Sequence, residues 1–249
     1  MRRLLGMAVC LLFIVASVAF SKDSKDDPAA SFKKDYPAIT FESIEPTNID
    51  GLYEVVAGNN VIYYHPKTGN IFFGEIITKG FVNITAEKRN KLVSTKLTEL
   101  PLNKAIRIGR GKNIVVEFTD IDCPYCRKLE EFFGKREDVT RYVFLFPLQQ
   151  LHPSSMAKSM KVLCAKENDR AAAYADAMQG SLDELKPGIS AANDLLSVCN
   201  DQKALDLLME YQEFGKKLGV QGTPALWINN TPVMGMNIPQ IEQLLAPTK

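Results

Sequence analysis

Residues 113–133, NIVVEFTDIDCPYCRKLEEFF, pass from a β-branched apolar stretch into a helical pattern, with a Cys-x-x-Cys pair at the join. A second apolar stretch, VTRYVFLFPL at 139–148, follows at once, so strand, helix and strand predict a parallel βαβ unit. Cys123 falls where the strand hands over to the helix, and Pro124 takes the first helical position, where its missing N–H costs nothing. A sulfur there lies near unpaired backbone N–H groups and the positive end of the helix dipole, which predicts a thiol more acidic than the free value of about 8.5. Cys126, one turn on, can attack a mixed disulfide formed at Cys123. Two other uses of the pair stay open. A structural zinc site needs four ligands, commonly in close pairs, yet Cys164 and Cys199 stand far apart and the only histidines are His65 and His152. A structural disulfide within the pair would close a small, strained ring.

The chain's first residues change how the cysteines read. Arg2 and Arg3 precede an apolar run from Leu4 to Val18, then small residues and the polar SKDSKDD. That order predicts a secretory signal over 1–19, with an uncleaved anchor as the alternative. Cys10 lies inside it, leaving four of the five cysteines in the exported chain. An even number in an oxidising compartment suits two disulfides, or one disulfide beside a redox pair. Cys164 and Cys199 are then either buried thiols or a bridge, and export favours the bridge. The net charge of +1 implies no pull toward nucleic acid or anionic membrane.

Ahead of the βαβ unit, residues 36–84 read as short strands and turns: GLYEVVAG, NVIYYHP and NIFFGEII, with a hairpin of 61–64 and 71–77 around 65–70. A block this small is marginal alone, and self-association is a way to cover its sheet. Residues 83–101 change to a helical period, with Thr85 as the expected N-cap, Glu87 in the first turn, a thin stripe of Leu92, Leu97 and Leu100, and Pro101 as the stop. This helix is either a solvated connector or packed on one of its neighbours. Residues 153–214 carry helical signals almost throughout; TPALWIN (223–229) returns to strand and IPQIEQLLAP closes as a helix. Two features bear on the cysteine pair. Thr223-Pro224 at a strand start is a candidate cis bond. Glu117 interrupts an apolar strand six positions before Cys123; it either points beneath the site, where it could exchange a proton with Cys126, or alternates out to solvent. Asp120 and Asp122 read as acids favoured at a helix start.

FTDIDCPYCRKL (118–129) and LGVQGTPA (218–225), with a β-rich block and a polar helix before them, resemble the DsbC/DsbG family of periplasmic disulfide isomerases, within the thioredoxin superfamily. The resemblance implies an α+β chain: a cystatin-like dimerisation domain over 20–84, a linker helix at 85–102, and a thioredoxin-like catalytic domain over 103–249 with helices inserted near 152–215. It implies a V-shaped homodimer without metal or cofactor. Cys123 would attack, Cys126 resolve, and Pro124, Tyr125, Thr223 and Pro224 contact substrate, with Cys164 and Cys199 as a structural disulfide. Misfolded exported proteins with wrong disulfides would be the substrates, held with a chaperone-like component, and a DsbD-type membrane reductase the electron donor. The Cys164–Cys199 spacing is longer than usual there, Pro124-Tyr125 is closer to the DsbG-like branch, and Glu117 resembles the buried acid of thioredoxin instead. A DsbG-like reducer of single oxidised cysteines, a dithiol oxidase and a holdase stay open as alternatives.

Overall fold

The computed structural model describes residues 27–185 and 192–246; the N-terminal apolar run and Cys10 lie outside them. The first unit opens with α1 (Pro28–Asp35), whose N-cap Asp27 accepts the Ala29 N–H at 3.0 Å. Four strands follow as an antiparallel meander in the order β1 (Ser43–Pro46), β2 (Tyr53–Ala57), β3 (Asn60–His65) and β4 (Asn70–Phe72). Residues 61–64 of β3 are all buried because the strand is covered on both faces. Ile62 and Tyr64 join Phe32 of α1 and Val55 in one core, where the Phe32 and Tyr64 rings meet edge to face at 5.1 Å. Tyr63 turns the other way and bonds the Thr85 hydroxyl.

That contact corrects the expected cap. Thr85 is buried and its hydroxyl accepts the Ile76 N–H, so it cannot close a helix end. Asn83 does so instead, accepting from Ala86 N at 2.9 Å, and α2 runs Ile84–Thr98. The expected strand over 71–77 is likewise shorter. The pairing Tyr64 with Ile71 and Tyr63 with Phe72 holds, but β4 ends at Phe72 and leaves Asn60, Val61 and Ile62 of β3 without a partner on that side. Nor is α2 a solvated connector. Lys88 reaches Glu54 at 3.1 Å and Glu45 at 3.3 Å in the first unit, while Leu97 is buried in the core of the second, flanked by Val93 and Leu100.

The second unit is a five-stranded sheet in the order β5-β7-β6-β8-β9. Its strands are β5 (Ile106–Gly109), β6 (Asn113–Thr119), β7 (Val139–Leu145), β8 (Ala225–Ile228) and β9 (Thr231–Met234). The β6–β7 pair is parallel, as the βαβ pattern predicts, and every other pair is antiparallel. From Val115 onward both faces of β6 are covered, which explains why its side chains do not alternate between apolar and polar. Val115 packs with Leu129 and Phe133 of α3 (Pro124–Phe133) and with Ile241 and Leu245 of α8 (Ile238–Leu245). Phe118, facing the opposite way, stacks on Phe144 at 5.0 Å, under Tyr211 of α7 (Gln202–Leu218). Gly215 lets α7 approach this closely: a Cβ there would stand 2.4 Å from the Phe146 ring. Between β7 and α7 come α4 (Ser155–Leu163), α5 (Arg170–Met178) and α6 (Ala192–Val198). A disulfide from Cys164, the C-cap of α4, to Cys199, just past α6, closes a 35-residue loop. In the chain-entropy account such a closure stabilises by about 4 kcal/mol.

Candidate active site

Cys123 is the N-cap of α3, in extended backbone (φ −71°, ψ 119°), with Pro124 at the first helical position. It is 5% exposed and Cys126 is fully buried; both are free thiols. Facing them is the Thr223–Pro224 peptide, which is cis and presents the Thr223 carbonyl 3.4 Å from Cys123 Sγ. The Cys123 thiol is pushed down to about 5, chiefly by the hydrogen bond its thiolate receives from the Cys126 thiol. Burial opposes this, and the backbone N–H groups of Cys126 and Tyr125 and the Thr223 hydroxyl add to it. Cys126 moves strongly the other way, first through burial and then because its proton is held by the Cys123 sulfur. At neutral pH the pair is therefore one thiolate and one thiol, the attacking and the waiting form. A thiolate absorbance titration of the reduced protein should show a first midpoint near pH 5; one near the ordinary 9.0 would remove this description. The depressed Cys123 value adds stability to the reduced fold that is complete above the ordinary 9.0 and is lost as pH falls through about 5, while the raised Cys126 value takes stability away as pH climbs above 9.0.

Beneath α3 lies a buried polar layer that sequence reasoning reached only at Glu117. The side chain of Glu117 is fully buried, on the same face of β6 as Thr119. Arg141 of β7, also buried, reaches Glu117 Oε2 at 2.9 Å and Glu130 Oε2 of α3 at 2.5 Å, and its guanidinium stacks 4.9 Å from the Phe133 ring centre. Burial pushes the Glu117 carboxyl up, and Arg141 pulls it back. Glu117 Oε1, Thr119 Oγ1 and the Tyr174 hydroxyl are all buried without hydrogen-bond partners. The Thr119 hydroxyl pulls the pKa of both Glu117 and Cys126 downward.

Asp120 and Asp122, expected as helix-start acids, do something else. Asp120 is fully buried: Oδ1 accepts Asp122 N at 2.8 Å, and Oδ2 accepts Leu148 N at 2.6 Å and stands 3.0 Å from His152 Nδ1. One carboxylate thus fastens the reactive loop to the loop after β7. Asp122 meets the nearly buried Lys158 of α4 at 2.5 Å, Lys158 also meets Asp183 at 2.7 Å, and Arg127 of α3 closes the ring with two bonds to Asp183. Nothing in the sequence marks Lys158, Asp183 or Arg141, because their partners come from distant elements. Tyr125 is 59% exposed beside the pair. His65 sits at the end of β3 in the other unit.

With this geometry in view, two family models match the chain. One, described as a thioredoxin-like domain, covers residues 103–239, and the chain belongs to that family. The other, described as the disulfide bond isomerase protein N-terminal domain, matches residues 19–86. The chain is 31% identical over 190 residues to the probable thiol:disulfide interchange protein DsbC of Bordetella avium (strain 197N), covering 75% of this chain and 62% of that one. It thus spans less than two thirds of that relative's length. The thiol:disulfide interchange protein DsbC of Escherichia coli (strain K12) is 26% identical over 237 residues, covering 92% of this chain and 91% of its own. A crystal structure of a disulfide interchange protein from Neisseria gonorrhoeae aligns at a TM-score of 0.46 with 32% identity, over 59% of this chain and 96% of that one.

Proposed function

We propose that this chain rearranges and reduces wrong disulfides in exported proteins. The observation that carries the reading is the acidic Cys123 thiol over a buried Cys126, with the Thr223–Pro224 loop beside them. The Cys123 thiolate attacks one sulfur of a client disulfide; that S–S bond breaks, a client thiolate leaves, and a mixed disulfide forms. If another client thiolate then attacks the client sulfur, Cys123 is released and the client has isomerised with no net electron transfer. If instead Cys126 loses its proton and attacks Cys123 Sγ, the client leaves as a dithiol and the protein keeps a Cys123–Cys126 disulfide. Glu117, reached through Thr119, is the acceptor for that Cys126 proton. Pro124, Tyr125, Thr223 and Pro224 form the surface against which the client backbone lies. The oxidised pair then needs a membrane dithiol donor of the DsbD type, in the periplasm. Among the described residues no helix is long and apolar enough to cross a membrane.

The first unit joins two copies of the chain in this reading. Its outer strand β4 leaves one edge unpaired, and Phe72, Phe73, Ile77 and Phe81 beside it are half to nine-tenths exposed. A homodimer covers that edge and sets two catalytic units facing a shared cleft, which gives unfolded clients a chaperone-like binding surface. Sedimentation equilibrium should return twice the chain mass; a monomer at micromolar concentration would remove the dimer. The function itself is tested by refolding scrambled ribonuclease with a catalytic amount of reduced protein. Activity should reappear well above the rate with glutathione alone, and parity with glutathione would sink the assignment.

A further inference from the structure

A cleft of about 1250 Å³ separates the β2–β3 turn and α2 of the first unit from the end of α7 and the loop after it. Its wall is fixed by one side chain. Asn59, at the β2–β3 turn, donates from Nδ2 to the Lys217 carbonyl at 2.7 Å and accepts Lys96 Nζ on Oδ1 at 2.7 Å. Gly219, in left-handed backbone (φ +76°), leaves room for it, since a Cβ there would come within 2.8 Å of Asn59 Nδ2. The cleft continues the reactive site. Val220 and Gln221 line it, and only Gly222 separates them from Thr223, whose carbonyl touches Cys123 Sγ. Met234, also lining it and 57% exposed, pairs with Ala225, the residue after the cis proline. A client chain extended past Thr223 at about 3.3 Å per residue enters this cleft within a few residues of its bonded cysteine.

The charge of the lining is one-sided. Arg89, Lys96, Lys216 and Lys217 face a single acid, Glu99. Arg89 is paired with Glu75 and Lys216 with Glu213, but Lys96 bonds only the neutral oxygens of Gly58 and Asn59, and Lys217 has no carboxylate partner among the described residues. Val93, Phe214 and Met234 supply apolar contact between the cations. We infer that this cleft receives the flank of a client's disulfide and favours flanks carrying aspartate or glutamate. The inference rests on the exchange activity proposed above and adds a selectivity to it.

Three peptides test it, each with one cysteine in a mixed disulfide with mercaptoethanol and with glutamates, serines or lysines from the third residue on either side. The rate of attack by the reduced full-length protein is divided by the rate with dithiothreitol, which removes the peptides' own reactivity. At low salt the glutamate peptide should exceed the lysine peptide about tenfold, the size of two exposed attractions set against two repulsions. That ratio should fall toward one in about molar salt, where screening acts within ~3 Å, and should drop below one in the Lys216→Glu, Lys217→Glu variant. Equal rates for the three peptides, or a preference that survives in the variant, overturn the inference and leave disulfide exchange standing. No exchange with any of the peptides overturns the exchange reading, and the inference with it.

Discussion

Cys123→Ala is expected to remove catalysed disulfide exchange altogether, a loss on the order of a thousandfold or more, because no other described free thiol stands at a helix start. Cys126 cannot replace it: burial, the first cause of its raised pKa, still holds its proton in place. The complementary change separates the two outcomes of the mixed disulfide. In Cys126→Ala the first attack survives but the internal escape is gone, so client adducts should accumulate on non-reducing gels while slow isomerisation through client thiols persists. The Cys123 titration should also rise in that variant, since the hydrogen bond from the Cys126 thiol is the main cause of its acidity. If Cys123→Ala retained repair of scrambled ribonuclease, the thiol chemistry described above would be excluded; if it lost repair yet still suppressed aggregation, the holding function would be shown to be separate.

Arg141→Ala should be the most destabilising single change in the second unit, by about 3–5 kcal/mol, because it leaves Glu117 charged and unpaired in the core. The pH dependence follows from the sign of the shift. Burial already raises the Glu117 carboxyl from its ordinary 4.5, and loss of the opposing guanidinium raises it further. A raised acid favours the folded state below the unfolded value and loses that advantage as pH climbs toward the folded one. The variant should therefore be closest to the parent in acid and furthest from it at neutral pH, as read from urea midpoints at a series of pH values. A deficit that did not shrink in acid would refute the charge argument. The double change Glu117→Gln, Arg141→Met should recover much of the loss, since removing both partners leaves no bare charge. Glu117→Gln alone separates structure from chemistry: if Glu117 receives the Cys126 proton, release of the mixed disulfide slows while the first attack by Cys123 keeps its rate.

What the sequence disclosed and what it withheld divide along a physical line. The βαβ unit was legible because β6, α3 and β7 are local and their periods differ sharply; the cysteine pair was legible because strand end, proline and helix start are neighbours in the chain. The Thr223–Pro224 loop was readable only beside that pair, since a lone X–Pro bond says little. Glu117 could be noticed but not oriented, because both faces of β6 are covered and alternation no longer separates inside from outside. Asp120 and Asp122 were misread for a related reason. An acid before a helix is usually a dipole partner, and only tertiary contact shows that these two instead hold His152, Leu148 and Lys158. Thr85 lost its expected cap role to Asn83 through one long-range contact, the hydroxyl of Tyr63.

Leu97 carries a consequence for how force and motion pass along this chain. The residue belongs by position to the helix joining the two units, yet its side chain is seated among Ile106, Val116 and Phe118 beneath the catalytic sheet. The seam between the halves therefore runs through α2 rather than beyond it. A fragment trimmed at the end of α2 would start life with a hole in its interior, and a swing of the catalytic arm must carry the last turns of that helix with it. At its other end Thr85 is buried against Tyr63 and Lys88 grips Glu54 and Glu45, so the helix is clasped from both sides and such a swing has to part the bonds of Asn59 to Lys96 and Lys217.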